Sequence, residues 1–388
     1  MDFTQIIHIS DTHLGCAQFD SEEREQDVYD AFQEVVDAAV KDKVDAVVHA
    51  GDIFHYPKPG GRPLVKMGEA LKTLSENGIA TFFTLGEHDI SRITGTPSPY
   101  LFHKLGLATY VGTGEPVMLG DLMIIGFNKY RRGEIDELIE EMKAAGAKAK
   151  GHSGKKLLVL HQGLLEFHKF AGELTANDLP PEFDYYAFGH LHDNFHRHFD
   201  GMKGPVCYPG SLDPTPGEGI KEFKKGYYFV DLSGEEAKPD WVQIASSRLM
   251  FHYDLQYNAM MEGIEKIAQE LRGSPQAKKK PVLSVTISGV EVDPARVTAA
   301  LTRLTPLCLT CVPTVEEEAE KGGRVYDEKP GDIGNEMRAL AEGALGSKEL
   351  ASFAVDELLP LLQRGETDEA LSIVQRAFDK SRFGETKP

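Results

Sequence analysis

Apolar residues in the first ninety positions arrive in short unbroken runs, each stopped by a polar turn. Residues 5–9, 44–49 and 79–85 are such runs, and length together with bounding turn residues marks them as buried strands. Between them the period changes. Val28, Phe32, Val35, Val36 and Ala39 recur at helical spacing within 22–42, and 63–77 is a second amphipathic stretch ended by Asn77-Gly78. The order β-α-β-α-β predicts a mainly parallel sheet with helices on its faces.

The second half repeats the theme with more strand character. Residues 122–127, 157–160, 184–188 and 226–232 read as strands, and 134–146 as a helix. From about 249 the pattern changes to helix (260–271), strand (282–287), helix (294–304) and strand (307–312), predicting a small α+β unit. A charged, Gly-containing stretch around Glu316-Glu317-Glu318 and Pro330-Gly331 predicts a linker. Leu350, Phe353, Leu358, Leu361 and Leu362, then Ala370, Leu371, Val374 and Phe378, mark two short amphipathic helices that need a partner surface. The expected domains are 1–248, 249–313, a linker over 314–335, and a helical region over 336–388.

Composition bounds the reading. A chain of 388 residues with 41% apolar content supports more than one core. No run approaches the ~20 apolar residues of a membrane span, and the start lacks a signal-peptide pattern, so a cytoplasmic protein with no membrane partner is expected. The net charge of −19 excludes a general electrostatic grip on nucleic acid. Any such partner must be held by a local basic patch or by bound metal. Cys308 and Cys311 form one isolated pair in an apolar run, which favours core thiols over a zinc knuckle.

The chemistry lies where the strands stop. Asp11 and His13, Asp52, Glu87 and His88, His161, and His190 and His192 all follow apolar runs at Gly or Ser turns. Ligands of open α/β sheets bind at the carboxyl ends of strands. Gathering so many titratable groups is costly unless they hold metal. Mixed carboxylate and imidazole donors suit manganese, iron or zinc better than magnesium or calcium. His8, His49, His196 and His198 are expected to lie outside the site.

Asp11-x-His13, Gly51-Asp52, Gly86-x-His88-Asp89, His161 and Gly189-His190-x-His192 together resemble the calcineurin-like metallophosphoesterases. His13-Leu14-Gly15, Gly51-Asp52-Ile53-Phe54-His55, Leu160-His161-Gln162-Gly163 and Tyr208-Pro209-Gly210-Ser211 narrow the resemblance to the SbcD-like, meiotic-recombination-type nuclease subunits of double-strand-break repair. The resemblance implies an α/β fold of α/β/β/α layers with a small capping domain and a C-terminal helix pair. It implies two divalent metals, Mn2+ by preference. Asp11, His13 and His192 would hold one, His161, His190 and Glu87 the other, and Asp52 would bridge them. Such metals lie about 3.5–4 Å apart and clamp the phosphate for in-line attack. His88 would stabilise the transition state or protonate the leaving oxygen, Asp89 would orient His88, and His55 would place the scissile phosphate. Glu87 departs from the pattern, which has Asn there. The added charge should tighten the second metal and lower its Lewis acidity, or shift metal preference.

The implied activity is a manganese-dependent 3′–5′ exonuclease and endonuclease acting on duplex and single-stranded DNA ends in a prokaryotic, nucleoid-associated complex. Lys129, Arg131 and Arg132 are the best phosphate contacts, followed by Lys58, Arg62, Lys221, Lys224 and Lys225; Tyr208 and Ser211 are further candidates. The implied partners are an SMC-like, SbcC-type ATPase at the C-terminal helices and a second copy of the chain, the homodimer forming through 63–77 and 97–105, where Val65, Leu71 and Leu74 are available for an interface or, equally, for a core. Two alternatives stay open. One is a phosphodiesterase of small nucleotides or phosphoesters, which would not need the cap or the helix pair. The other is a weakly active or non-catalytic DNA-end-binding subunit, for which Glu87 is the only opening.

Overall fold

The computed structural model describes residues 5–91, 95–273, 279–317 and 333–359, with 371, 373 and 374. The chain divides into two compact units, residues 1–318 and 319–388. In the first, β1 (Gln5–Ile9), β2 (Ala46–Ala50), β3 (Ala80–Thr84) and β4 (Thr109–Tyr110) pair in parallel, joined by α1 (Glu22–Asp42), α2 (Gly61–Glu76) and α3 (Tyr100–Lys104). A second sheet is built from β5 (Val117–Leu119), β6 (Leu122–Phe127), β7 (Lys156–His161), β8 (Tyr185–Gly189), β9 (Phe195–Arg197) and β10 (Val206–Tyr208), with α4 (Ile135–Lys150) between β6 and β7. The chain then returns to the first sheet as β11 (Gly226–Asp231) and β12 (Lys238–Gln243), antiparallel beside β1. The sheet orders are β12-β11-β1-β2-β3-β4 and β5-β6-β7-β8-β10-β9.

The two six-stranded sheets stack on one another, and this explains the unbroken apolar runs. A strand covered on both faces has no solvent side and loses the alternation of a half-exposed strand. Ile6, Ala46, Val48, Leu157 and Val159 fill the space between the sheets. Their neighbours Ile7, Ile9 and Val47 pack under α1 and α2, with Val28, Phe32, Val35, Met67 and Leu71. Leu158 and Leu160 meet α4 at Leu138, Met142 and Ala145 on the far side. The layers are therefore α/β/β/α, and the parallel strands of both sheets end at the same edge.

A third, three-stranded sheet follows: β13 (Met250–Gln256), β14 (Val282–Gly289) and β15 (Thr310–Glu317), all parallel, crossed by α5 (Met260–Gly273) and α6 (Pro294–Leu301). Its last strand starts later than the apolar run at 307 predicts. Leu307 and Cys308 donate their amides back to the Leu304 carbonyl, so they close a turn before β15. Cys308 is buried, and all four cysteines are free thiols.

In the second unit, α7 (Ile333–Leu345) and α8 (Lys348–Ser352) run on into a π-helical turn at Phe353–Leu358. Arg338 Nε contacts the Asp356 carboxylate at 3.0 Å. Most of the linker expected over 314–335, the greater part of the second terminal helix and Lys278 lie outside the described residues. Among the described residues no helix is long and apolar enough to cross a membrane. Of the residues that could serve either a dimer interface or a core, Leu71 and Leu74 face the core; Val65, like Leu101 and Leu105 of the same region, is exposed.

Candidate metal centre

The strand ends that carry the site residues converge because β1, β2, β3, β7 and β8 all stop at one edge. The chain leaves each strand through a tight turn, and four of the site residues take left-handed backbone: Asp11 (φ 51°), His13 (φ 43°), Asp52 (φ 55°) and His190 (φ 91°). Such conformations cost non-glycine residues on the order of 1–3 kcal/mol and concentrate at functional sites. The glycines beside them are required by crowding. A Cβ on Gly51, itself at φ 91°, would stand 2.4 Å from His161 Nδ1, and one on Gly86 would stand 2.1 Å from Asp52 Oδ1.

Two donor clusters result. In one, Asp11, His13 and His192 bring one ligand atom each within 4.8 Å of one another; in the other, Glu87, His161 and His190 do the same. Asp52 lies between them, its Oδ2 3.8 Å from His13 Nε2 and 3.5 Å from His161 Nε2. Backbone contacts hold the carboxylates. His190 N–H reaches both Asp11 oxygens (3.2 and 3.1 Å), and His88 N–H donates to Asp52 Oδ1 at 2.8 Å. His161 is fixed from behind, its Nδ1 2.6 Å from the Ala50 carbonyl.

The donors fit a cation. His161 Nε2 and His190 Nδ1 each lie 2.8 Å from a Glu87 oxygen, yet both are buried without a hydrogen-bond partner among the described residues. The ring nitrogens and the carboxylates point at shared positions and not along hydrogen bonds, as ligands of an ion do. Electrostatics agrees. Burial pushes the Asp52 carboxyl up, but His161 outweighs it and holds Asp52 at about 2. Burial would likewise raise Glu87, and His161 and His190 pull it well below the ordinary range. Burial lowers the His161 imidazole, yet Asp52 and Glu87 lift it well above its usual value. His13 has no such excess, and burial leaves it well below. The cluster is thus acceptor-rich, and positive charge is what it lacks.

His88 and His55 stand beside His13, with ring centroids 4.8 and 5.5 Å from its own. They stack on each other at 5.5 Å, and His88 Nδ1 sits 2.8 Å from the His55 carbonyl.

Several expectations need correction. Asp89 does not orient His88. Its carboxylate accepts the amides of Ile53, Phe54 and Gly86, so it shapes the turns that carry Asp52 and Glu87, and the partner of His88 is the His55 carbonyl. Tyr208 is fully buried, donating its hydroxyl to the Gln162 carbonyl at 2.7 Å, and Ser211 is buried with its hydroxyl 3.3 Å from Glu218; neither offers a side chain to DNA. Lys225 is buried against Glu218. Lys129 is ion-paired with Glu173 and its Nζ lies 3.3 Å from His190 Nε2, so it packs against the second donor cluster. Arg131 and Arg132 are exposed, although Arg132 donates to the Phe170 carbonyl.

The sequence pattern missed Thr215, Glu218 and Glu173. Thr215 Oγ1 is 3.0 Å and Glu218 Oε1 3.4 Å from His192 Nδ1. They lie on a turn more than twenty residues downstream, with no apolar run to flag it. Of the histidines expected outside the site, His8 contacts Tyr185 Oη at 3.0 Å, His49 contacts Thr12 Oγ1 at 2.9 Å, and His196 and His198 are exposed.

Residues 4–194 match the calcineurin-like phosphoesterase family, spanning both donor clusters. Three archaeal proteins named DNA double-strand break repair protein Mre11 are similar over most of their length. That of Sulfolobus acidocaldarius is 29% identical over 78% of this chain and 79% of its own. That of Sulfurisphaera tokodaii is 31% identical over 75% of each, and that of Methanococcus maripaludis 30% over 72% and 76%. Strand order, donor set and these relatives agree: the chain belongs to the calcineurin-like phosphoesterases, in the Mre11 branch of the family.

Proposed function

We propose that this protein is a divalent-metal-dependent DNA nuclease of double-strand-break repair that hydrolyses phosphodiesters at DNA ends. The observation that carries this reading is the convergence of Asp11, His13, Asp52, Glu87, His161, His190 and His192 at one sheet edge, with His161 Nε2 and His190 Nδ1 buried and without a hydrogen-bond partner among the described residues. Asp11, His13 and His192 would hold one cation and Glu87, His161 and His190 the second, with Asp52 between the two donor sets. Mixed carboxylate and imidazole donors suit manganese, iron or zinc, and the family resemblance favours Mn2+ among them. Bound there, the ions would polarise the phosphate and activate the attacking water.

The chain's own residues do the rest. The His55 carbonyl fixes His88 through Nδ1. That leaves Nε2 to face the substrate and hand a proton to the leaving oxygen. The His55 ring, stacked on His88, is placed to orient the scissile phosphate for exonuclease cleavage. Arg131 and Arg132 offer sequence-independent phosphate contacts on a surface otherwise dominated by negative charge. Residues 1–248 form the nuclease body and 249–313 a cap that contacts DNA. Residues 314–335 link these to 336–388, which dock on an SMC-like ATPase of the SbcC or Rad50 type. The exposed Val65, Leu101 and Leu105 fit a homodimer contact. Work in a prokaryotic cytoplasm, at the nucleoid, follows from this reading.

The test is cleavage of linear duplex DNA, single-stranded DNA and a generic phosphodiester by the purified chain with Mn2+. DNA cleavage lost in His88→Gln, with metal binding kept, is the expected result. Hydrolysis of the generic ester without DNA cleavage would overturn the reading in favour of a small-phosphoester hydrolase.

A further inference from the structure

The two imidazoles of the Gly189-His190-Leu191-His192 turn differ in what stands behind them. Behind each is a lysine–glutamate pair, but the pairs face the rings with opposite ends. Toward His192 the acid leads. Its Nδ1 faces Thr215 Oγ1 at 3.0 Å and Glu218 Oε1 at 3.4 Å. Glu218 is held in turn by the Thr215 amide at 2.8 Å and by buried Lys225, whose Nζ also reaches the His192 carbonyl at 2.9 Å. Toward His190 the base leads: Lys129 Nζ lies 3.3 Å from Nε2, backed by Glu173.

The consequences for a metal ligand are opposite. An acceptor behind His192 keeps the proton on Nδ1, frees the Nε2 lone pair and raises its basicity, as in carboxylate–histidine–metal arrangements. A donor behind His190 claims the Nε2 lone pair. The neutral ring must then carry its proton on Nδ1, the atom 2.8 Å from Glu87 Oε1 and turned toward the second cluster. For Nδ1 to bind a cation, that proton must move to Nε2 and Lys129 must let go. Charge in the clusters themselves does not separate them: each has one carboxylate of its own, Asp11 or Glu87, and Asp52 lies between. Exposure adds to the difference, since the Asp11 side chain is fully buried and that of Glu87 is 38% exposed.

We propose that the two cation positions are unequal by construction: Asp11–His13–His192 fills first, and Glu87–His161–His190 binds more weakly because Lys129 opposes ligation by His190. Lys129 and Glu218 are positioning residues that set this order. The inference rests on the two-cation reading given above.

The test is calorimetric titration of the full-length chain with MnCl2, with free Mn2+ followed by its EPR signal. Two classes of site are expected, differing in affinity by about tenfold or more. Lys129→Met should strengthen the weaker class about tenfold and leave the tighter unchanged, whereas Lys129→Arg should preserve the gap. Glu218→Gln should weaken the tighter class alone by about tenfold; Thr215→Val, which removes only the intervening hydroxyl, should act in the same direction if Glu218→Gln does not fold. Two equal classes in the native protein, or Lys129→Met and Glu218→Gln acting on the same class, would overturn the inference while leaving the two-cation reading intact. Failure of the native chain to bind any Mn2+ would overturn that reading itself.

Discussion

Two clusters of buried charge lie in the first unit of this protein, and they are built on opposite principles. In the candidate metal centre, Asp11, Asp52 and Glu87 face imidazoles, two of whose nitrogens, His161 Nε2 and His190 Nδ1, are buried with no hydrogen-bond partner among the described residues. Around Asp27 the carboxylate's own demand is met from within the chain. Its carboxylate takes Arg24 Nη1 at 2.6 Å, Arg248 Nε at 2.6 Å and Lys279 Nζ at 2.9 Å. Arg24 reaches on to Asp213, and Lys279 to Asp30 at 2.7 Å. Arg248 and Lys279 precede β13 and β14, so this closed cluster fastens the third sheet to α1. Buried charge alone therefore does not mark a site. The balance of donors and acceptors does: a closed cluster is structural, and an open one with surplus acceptors calls for a cation.

The largest effect that would break this contrast is catalytic. Asp52→Asn should lower DNA cleavage by at least about a thousandfold, since it removes the carboxylate common to both cation positions. Thermal unfolding without metal should show a modestly lower midpoint, because the fold holds Asp52 ionised beside His161; a loss as large as that of Asp27→Ala would make Asp52 structural. Asp27→Ala should do the reverse. It strands Arg24 and Arg248 in a buried setting and should cost about 3–5 kcal/mol in chemical denaturation. Survivors that still fold should bind Mn2+ normally, and impaired Mn2+ binding at full stability would erase the distinction.

Smaller effects sharpen it. Burial lowers His8 and His49 to about 3. Their folded values lie below the unfolded 6.5, so the unfolded chain takes up protons first as pH falls. Their contribution to stability is complete above pH 6.5 and lost progressively toward pH 3, at about 1.4 kcal/mol per pH unit for each ring. His8→Gln should flatten that slope by one ring's share; an unchanged slope would mean that the ring is protonated in the fold. The smallest change belongs to Tyr208→Phe. Losing one buried hydrogen bond should cost about 1 kcal/mol, with DNA affinity unaltered in a salt titration. A drop in affinity at constant stability would restore Tyr208 to the interface.

The apolar runs were enough to place β1, β2, β3 and β11 within a residue or two, because a strand buried on both faces needs nearly every position apolar; β4 and β12 carry no such run. Where cover is partial, legibility fell. The strand expected from 307 begins at Thr310, since half-buried Leu307 and buried Cys308 are covered at a turn and not in a sheet. The same one-dimensional view read Tyr208 and Ser211 as accessible, for nothing local says that the Tyr208 ring lies against Phe188 and Phe195 inside the second core.

What the amino-acid order determined on its own is the alternation of strand and helix and the delivery of Asp, Glu and His at strand ends, because both are set by neighbours a few residues apart. What only the tertiary structure decided is which of those groups meet and what stands behind them. Asp89 shapes turns where a proton partner for His88 was expected, and Lys129 backs His190 where a DNA contact was expected. Glu218 and Thr215 reach His192 from a turn remote in sequence. The reason is physical. A ligand's identity is local, but its basicity, its tautomer and its hold on a cation depend on charges that arrive from other strands.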